Sequence, residues 1–192
     1  MHDIEPFFRW RDNYIAAEDK KSPVYGTQHD EFYYTNAIYN YYIHPQWDGF
    51  GSATLYLKIL YADYDKQYAI IELIGEWNDC IHNDIMTLRR EITDLMQKEN
   101  IFRFILICEN VLNYHAGDDN EYYEEWLEEI RDQEGWVAII NPLDHVAAEM
   151  ANYGVSQYVH ILTDAQWREY KPGALYKWTR QQIFAPKYLH VG

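Results

Sequence analysis

The sequence predicts an α/β fold: a mixed sheet with parallel core strands and an antiparallel N-terminal pair, with helices packed on it. Three observations predict it. Short oily runs at Tyr68 to Gly75, Phe102 to Cys108 and Trp136 to Ile140 are apolar enough for strands buried on both faces. Two amphipathic stretches separate them, so strand and helix alternate as parallel strands joined by right-handed crossovers require. A further run, Leu55 to Tyr61, precedes the first across the polar turn Asp63 to Gln67, which makes those two strands an antiparallel pair.

The first 21 residues mix Phe7, Phe8, Trp10 and Tyr14 with charge, and Pro6 suits the first turn of a short helix. Between Glu31 and Ile43 the aromatics Phe32, Tyr33, Tyr34, Tyr39, Tyr41 and Tyr42 read as one or two strands, with Thr35-Asn36 as a turn. His44-Pro45 and Asp48 to Gly51 mark a loop. The first core strand stops at Gly75, and Glu76-Trp77-Asn78-Asp79 carries the chain into a helix. Ile81, Ile85, Leu88, Ile92, Leu95 and Met96 give that helix one apolar face. Asn100 offers a left-handed end. A polar connection from Glu109 to Asn120 leads to a second helix with Tyr123, Trp126, Leu127 and Ile130 inward and Gly135 as its stop. After the third strand, Asp144 is placed to cap a short helix that ends at Gly154. Tyr158 to Leu162 reads as an edge strand. Thr163 to Gln166 has capping-box spacing, and Ala174 to Phe184 suits an extra C-terminal helix.

A chain of 192 residues suits one domain with extensions. The expected division is an aromatic-rich extension (1–52) packing on the domain or on a second copy, an α/β domain (53–171), and a C-terminal helix and tail (172–192). Sixteen basic against thirty-one acidic residues give a net charge of −15, which disfavours nucleic acid and anionic membranes as partners. The opening Met-His-Asp-Ile-Glu-Pro has no basic leader and no apolar core of signal-peptide length, and nowhere do roughly 18 consecutive apolar residues occur, so the chain is expected to be cytoplasmic. Cys80 and Cys108 are too few for a disulfide framework or a zinc site and read as ordinary buried thiols. Nineteen tyrosines and seven tryptophans suggest large amphipathic contact surfaces.

The order of elements from Thr54 to Tyr170 resembles the STAS domain, the fold of anti-sigma-factor antagonists and of sulfate-transporter tails. Ile71 to Glu76, with its Gly before an acid, Phe104 to Ile107 through Val111, Trp136 to Pro142 with Met150 and Gly154, and Thr163-Asp164-Ala165 carry the likeness. Residues before Thr54 fall outside it. The resemblance implies a non-catalytic interaction module whose functional loop, before the second helix, usually bears an Asp-Ser-Ser/Thr-Gly pattern phosphorylated by a partner kinase. Here that loop is Asn113 to Asn120, and no Ser or Thr occurs between Thr93 and Ser156, so the phosphoswitch does not carry over. Asp118 and Asp119 are poor mimics of it, since a carboxylate has one charge and a phosphate up to two with three acceptor oxygens.

Sheets of this kind bind ligands outside the carboxyl ends of their strands, which gathers Glu76, Trp77, Asn110, Tyr114, His115 and Asn141 at one rim. Asp118, Asp119 and Asn120 then lead into a helix crowded with Glu121, Glu124, Glu125, Glu128 and Glu129. Such a run is ordinarily a solvated face; its functional reading is docking of a protein partner with a basic surface. The aromatic region from Phe32 to Phe50 suits core covering or a homo-oligomer interface, or else the lining of a pocket. The alternative function is a small-ligand binder or weak enzyme near Trp77, Tyr114 and His115. No catalytic residue, metal or cofactor is assigned. His115 with Asp118 and Asp119, and His82 with Asp79 and Asp84, lack ligand spacing, and on a helix His82 and Asp84 point about 200° apart.

Overall fold

The structure, a computed structural model, describes residues 4–185; the starts and ends of the two expected extensions at Met1 and Gly192 lie outside it. In chain order it contains β1 (Ala37–Ile38), β2 (Tyr41–Tyr42), β3 (Asp48–Gly49), β4 (Leu55–Asp63) and β5 (Tyr68–Asn78). There follow α1 (Asp84–Leu88), a π-helical stretch (Arg89–Thr93), α2 (Asp94–Lys98), β6 (Arg103–His115), α3 (Glu121–Arg131) and β7 (Trp136–Ile140). Then come α4 (Asp144–Asn152), β8 (His160–Leu162) and α5 (Pro172–Phe184).

Strands β3 to β8 lie side by side in sequence order in one six-stranded sheet. Pairing is antiparallel from β3 to β5 and parallel from β5 to β8, with Ile70, Ile105 and Ala138 in register across the centre. This is the mixed sheet expected from the sequence. Crossovers that step in one direction and share one hand deposit their helices on one face. Accordingly Ile85, Leu88, Ile92 and Met96, then Tyr123, Trp126 and Ile130, then Val146 and Met150 pack with Ile71, Leu73, Leu106 and Ile139 in one core.

The alternate side chains of the same strands form a second core, Tyr68, Ile70, Ile105, Ile107, Trp136, Ala138 and Ile140, covered by Trp10, Trp167 and Leu175. The N-terminal arm and α5 therefore serve as the second layer that the crossover helices cannot supply. Phe7, Trp10 and Trp167 meet edge to face with centroids 4.9 to 6.0 Å apart, a favoured aromatic geometry. Indole N–H groups fasten the arm further: Trp10 donates to the Tyr170 carbonyl at 3.0 Å and Trp47 to that of Ile4 at 2.8 Å.

Several boundaries differ from expectation. Strand β5 does not stop at Gly75 but runs on to Asn78. Gly75 has φ +118°, and a Cβ there would stand 2.1 Å from the Thr54 carbonyl oxygen, so glycine bends the strand without ending it. The polar connection expected from Glu109 is mostly strand, because β6 pairs with the prolonged β5 through Glu76↔Asn113, Trp77↔Tyr114 and Asn78↔His115. Asn83, with φ 50°, caps α1 at Asp84, which leaves Ile81 off the helix and 75% exposed. The wider π turn then shifts the face, so Met96 is buried and Leu95 is 38% exposed.

Leu143 rather than Asp144 occupies the cap of α4. The Thr163–Gln166 box does not form: Thr163 donates to Asp164, whose φ is 62°, and only a single turn, Trp167–Glu169, follows. The last strand begins at His160, and at the sheet's edge as expected. Of the aromatic strands only the β1–β2 hairpin exists, turning at Tyr39 and not at Thr35-Asn36; the described arm residues from Ile4 to Lys21 form turns rather than a helix. Cys80 is exposed and Cys108 buried, so only one thiol matches expectation. Asn100 (φ 66°) and Gly154 (φ 80°) do adopt the left-handed conformation.

Candidate functional site

The ends of β5 and β6 are held by a buried carboxylate. Asp79 Oδ1 accepts the Trp77 indole N–H at 2.9 Å and the Ile85 backbone N–H at 2.8 Å, while Oδ2 accepts the hydroxyls of Tyr114 at 3.1 Å and Tyr123 at 2.7 Å. One side chain thus joins two strands, the start of α1 and the first turn of α3. Burial pushes the carboxyl up to about 6, against the four donors that favour its charge. The same burial, with the Asp79 charge next in order, raises both tyrosine hydroxyls above their ordinary range. These groups are structural donors, not acids for neutral pH.

Around this latch the sequence-predicted residues separate into five sets. Trp77 and Tyr114, 0% and 5% exposed, turn into the helix-side core. Glu76 and His115 face outward, with His115 Nε2 3.7 Å from Glu76 Oε2; Glu76 also accepts from Tyr39 at 2.9 Å and Asn113 at 3.1 Å. Asn110 lies on the sheet face away from the crossover helices, 3.5 Å from Glu72. Asn141 is a brace: its amide donates to Glu109 at 2.9 Å and Ala165 at 2.8 Å and accepts from Ala165 N–H at 2.9 Å. Asp118, Asp119 and Asn120 begin α3, where Asp119 accepts the Glu121 N–H at 3.2 Å and Asn120 donates to the Tyr153 carbonyl at 2.7 Å.

The acids of α3 divide by direction. Arg89, 4% exposed on the π turn, reaches Glu125 at 2.9 Å and Glu129 at 2.7 Å and donates to the Tyr122 carbonyl at 3.1 Å. Asp118, Glu121, Glu124, Glu128 and Asp132 are exposed and, among the described residues, form no ion pair. Arg89→Met keeps the apolar stem but removes the charged donors. It is expected to lower stability by about 1–2 kcal/mol, measured by urea denaturation; an unchanged midpoint would show that the two glutamates do not anchor α3.

The residues that sequence reasoning missed are Asp79 as a hub, Glu72, and a cluster of His29, Asp48 and Lys58. Charged residues stranded inside oily runs, Leu57-Lys58-Ile59 and Ile71-Glu72-Leu73, were the available signal. Among the described residues no group of three or more His, Cys, Asp or Glu is placed to hold a metal ion, and no helix is long and apolar enough to cross a membrane.

No family model matches the chain, and no curated protein matches it in sequence. Similar solved structures are of anti-sigma-factor antagonists, the class that the sequence resembles. The unphosphorylated anti-sigma factor antagonist SpoIIAA has a TM-score of 0.44 and 11% identity over 66% of this chain and 95% of its own. A protein from Thermotoga maritima described as an anti-sigma factor antagonist scores 0.43, with 14% identity over 65% of this chain and 92% of its own. The phosphorylated Bacillus cell fate determinant SpoIIAA scores 0.42, with 12% identity over 63% and 97%.

Proposed function

We propose that this chain is a non-catalytic protein-interaction module, and that its contact surface is the acidic ridge from His115 to Glu134, offered to a partner with a basic surface. One observation supports the reading. The inner side of α3 is fixed by Tyr123 on Asp79 and by Glu125 and Glu129 on Arg89, while Asp118, Glu121, Glu124, Glu128 and Asp132 stand outward on a rigid element. Opposed charge of this kind mainly speeds association and selects the partner. Because Trp77 and Tyr114 are turned inward, a small-ligand site there retains the exposed His115 and the largely covered Glu76 as walls, which favours the first reading. The aromatic hairpin region, with Phe32 80%, Tyr33 72% and Tyr39 70% exposed, is proposed as a self-association surface.

The test is recovery of a partner from the cell extract in which the chain is made, at low and raised salt, with Asp118→Asn plus Asp119→Asn and with Glu124→Gln plus Glu128→Gln. Recovery is expected to fall with salt, since the Debye length is about 10 Å at 0.1 M and shorter above, and to fall again in both variants. Equal recovery by wild type and both variants would rule the ridge out. Sedimentation of wild type and Tyr33→Ser tests the self-association surface; identical monomeric profiles would remove it.

A further inference from the structure

We propose that the cavity between the N-terminal arm and β4 is a binding site for a small aromatic carboxylate. It lies at the β4 edge of the sheet, where Ala16 and Ile59 of the helix-side core and Trp10 and Leu60 of the second core both reach its wall. Its volume is about 220 Å³, and its lining includes Phe7, Trp10 and Tyr14 with Arg11, His29 and Lys58. No Asp or Glu is among the described residues that line it. A local concentration of cationic groups is unexpected in a chain of net charge −15.

His29 and Lys58 share one buried carboxylate, Asp48, and the Arg11 side chain is uncommitted. His29 Nε2 stands 2.5 Å from Asp48 Oδ1 and 3.1 Å from Lys58 Nζ. Lys58 Nζ lies 3.1 Å from Asp48 Oδ2, an ion pair without the alignment of a good hydrogen bond. A single buried carboxylate thus faces both His29 and Lys58. Burial, with Arg11 adding repulsion, weakens the hold of Lys58 on its proton, and Asp48 opposes this. The Arg11 side chain, exposed at the cavity, makes no ion pair among the described residues, and the residue's hydrogen bond is that of its backbone N–H to the Phe8 carbonyl. Glu72 is directly opposite Lys58 in the strand pairing but bonds the Phe7 backbone N–H at 2.8 Å instead. An anion between Arg11 and Lys58 would receive charge-assisted hydrogen bonds from both.

Size and wall chemistry set the rest of the ligand. An apolar cavity of about 150 Å³ holds benzene, so the volume here admits one ring with a carboxylate attached. The rings of Phe7, Trp10 and Tyr14 supply the apolar side, and a few convergent polar groups fix orientation, as in small-molecule sites generally.

Calorimetric titration of the full chain with benzoate, 3-phenylpropionate, benzamide and acetate tests this. The two aromatic acids are expected to bind saturably and at least about tenfold more tightly than benzamide or acetate, because neither control offers both charge and ring. Arg11→Gln, at an exposed position, should melt like wild type and bind benzoate about tenfold more weakly. Lys58→Met paired with Asp48→Asn removes the second donor while leaving no unpaired charge behind, and should abolish the preference for acid over amide. Benzamide binding as tightly as benzoate, an Arg11→Gln variant of unchanged affinity, or no saturable binding of either aromatic acid would overturn the proposal.

Discussion

Asp79→Ala is expected to lower the unfolding free energy by about 3–5 kcal/mol, whereas Asp79→Asn should match or exceed wild type above pH 6. The contrast follows from which atoms meet the carboxylate. Oδ1 faces two groups that only donate, the Trp77 indole and the Ile85 amide. Oδ2 faces two hydroxyls, which can turn round and accept. An asparagine with its oxygen at the first position and its amide at the second would satisfy all four contacts without a buried charge. Alanine would leave the Trp77 and Ile85 donors orphaned beneath α1. Burial raises the Asp79 carboxyl from 3.8 to about 6, so the folded state holds the proton more firmly than the unfolded chain does. The resulting stabilisation is complete below pH 3.8 and is lost as pH rises through about 6. Asparagine imitates the protonated form at every pH, so its advantage over wild type should grow across that window and level off above it. Urea denaturation at pH 5 and pH 7.5 checks both variants; an asparagine variant as unstable as the alanine one would show that the hydroxyls cannot reverse.

Much of the scaffold could be read locally and the site could not, for reasons visible in β6. Its first half, Phe104 to Ile107, pairs with β5 on one side and β7 on the other, is buried on both faces and is written in oily residues. Beyond Ile107, β7 has ended at Ile140, and one edge of β6 opens. Glu109, Asn110 and Asn113 are tolerated there because they need not enter a core, so a continuing strand carries the composition of a loop. His145 of α4 takes up the free edge in part, its ring N–H donating to the Leu112 carbonyl at 2.7 Å. The Asp79 hub was hidden differently. Tyr114 and Tyr123 stand 35 and 44 residues away from it, and only the parallel pairing of Trp77 with Tyr114 brings them together. Likewise Asp48 meets Lys58 through the pairing of the two-residue strand β3 with β4, and His29 joins them from a loop whose sequence pattern has no clear period.

Glu72→Gln is expected to remove a large part of the pH dependence of stability. Glu72 is 1% exposed between Ile71 and Leu73 in the middle of β5, with one good partner, the Phe7 N–H at 2.8 Å. Burial, aided by Glu109 and opposed by the Phe7 N–H and Arg168, pushes its carboxyl from 4.5 up to about 7. A carboxyl raised in the folded state stabilises the fold fully below its unfolded value of 4.5, and that contribution disappears as pH rises through about 7. The span corresponds to about 2–4 kcal/mol. Glutamine keeps an oxygen for Phe7 and never ionises, so the variant should gain on wild type steadily from pH 4.5 to pH 7.5 and then run parallel to it. Taking the difference between the two melting curves cancels the repulsion among the surface acids, which both proteins share. Curves parallel throughout would mean that Glu72 ionises as an ordinary hydrated carboxylate and that water reaches it beneath the arm. Hydrogen exchange at the Phe7 amide should be equally slow in both proteins, because the substitution leaves an acceptor in place and the arm stays seated on the sheet.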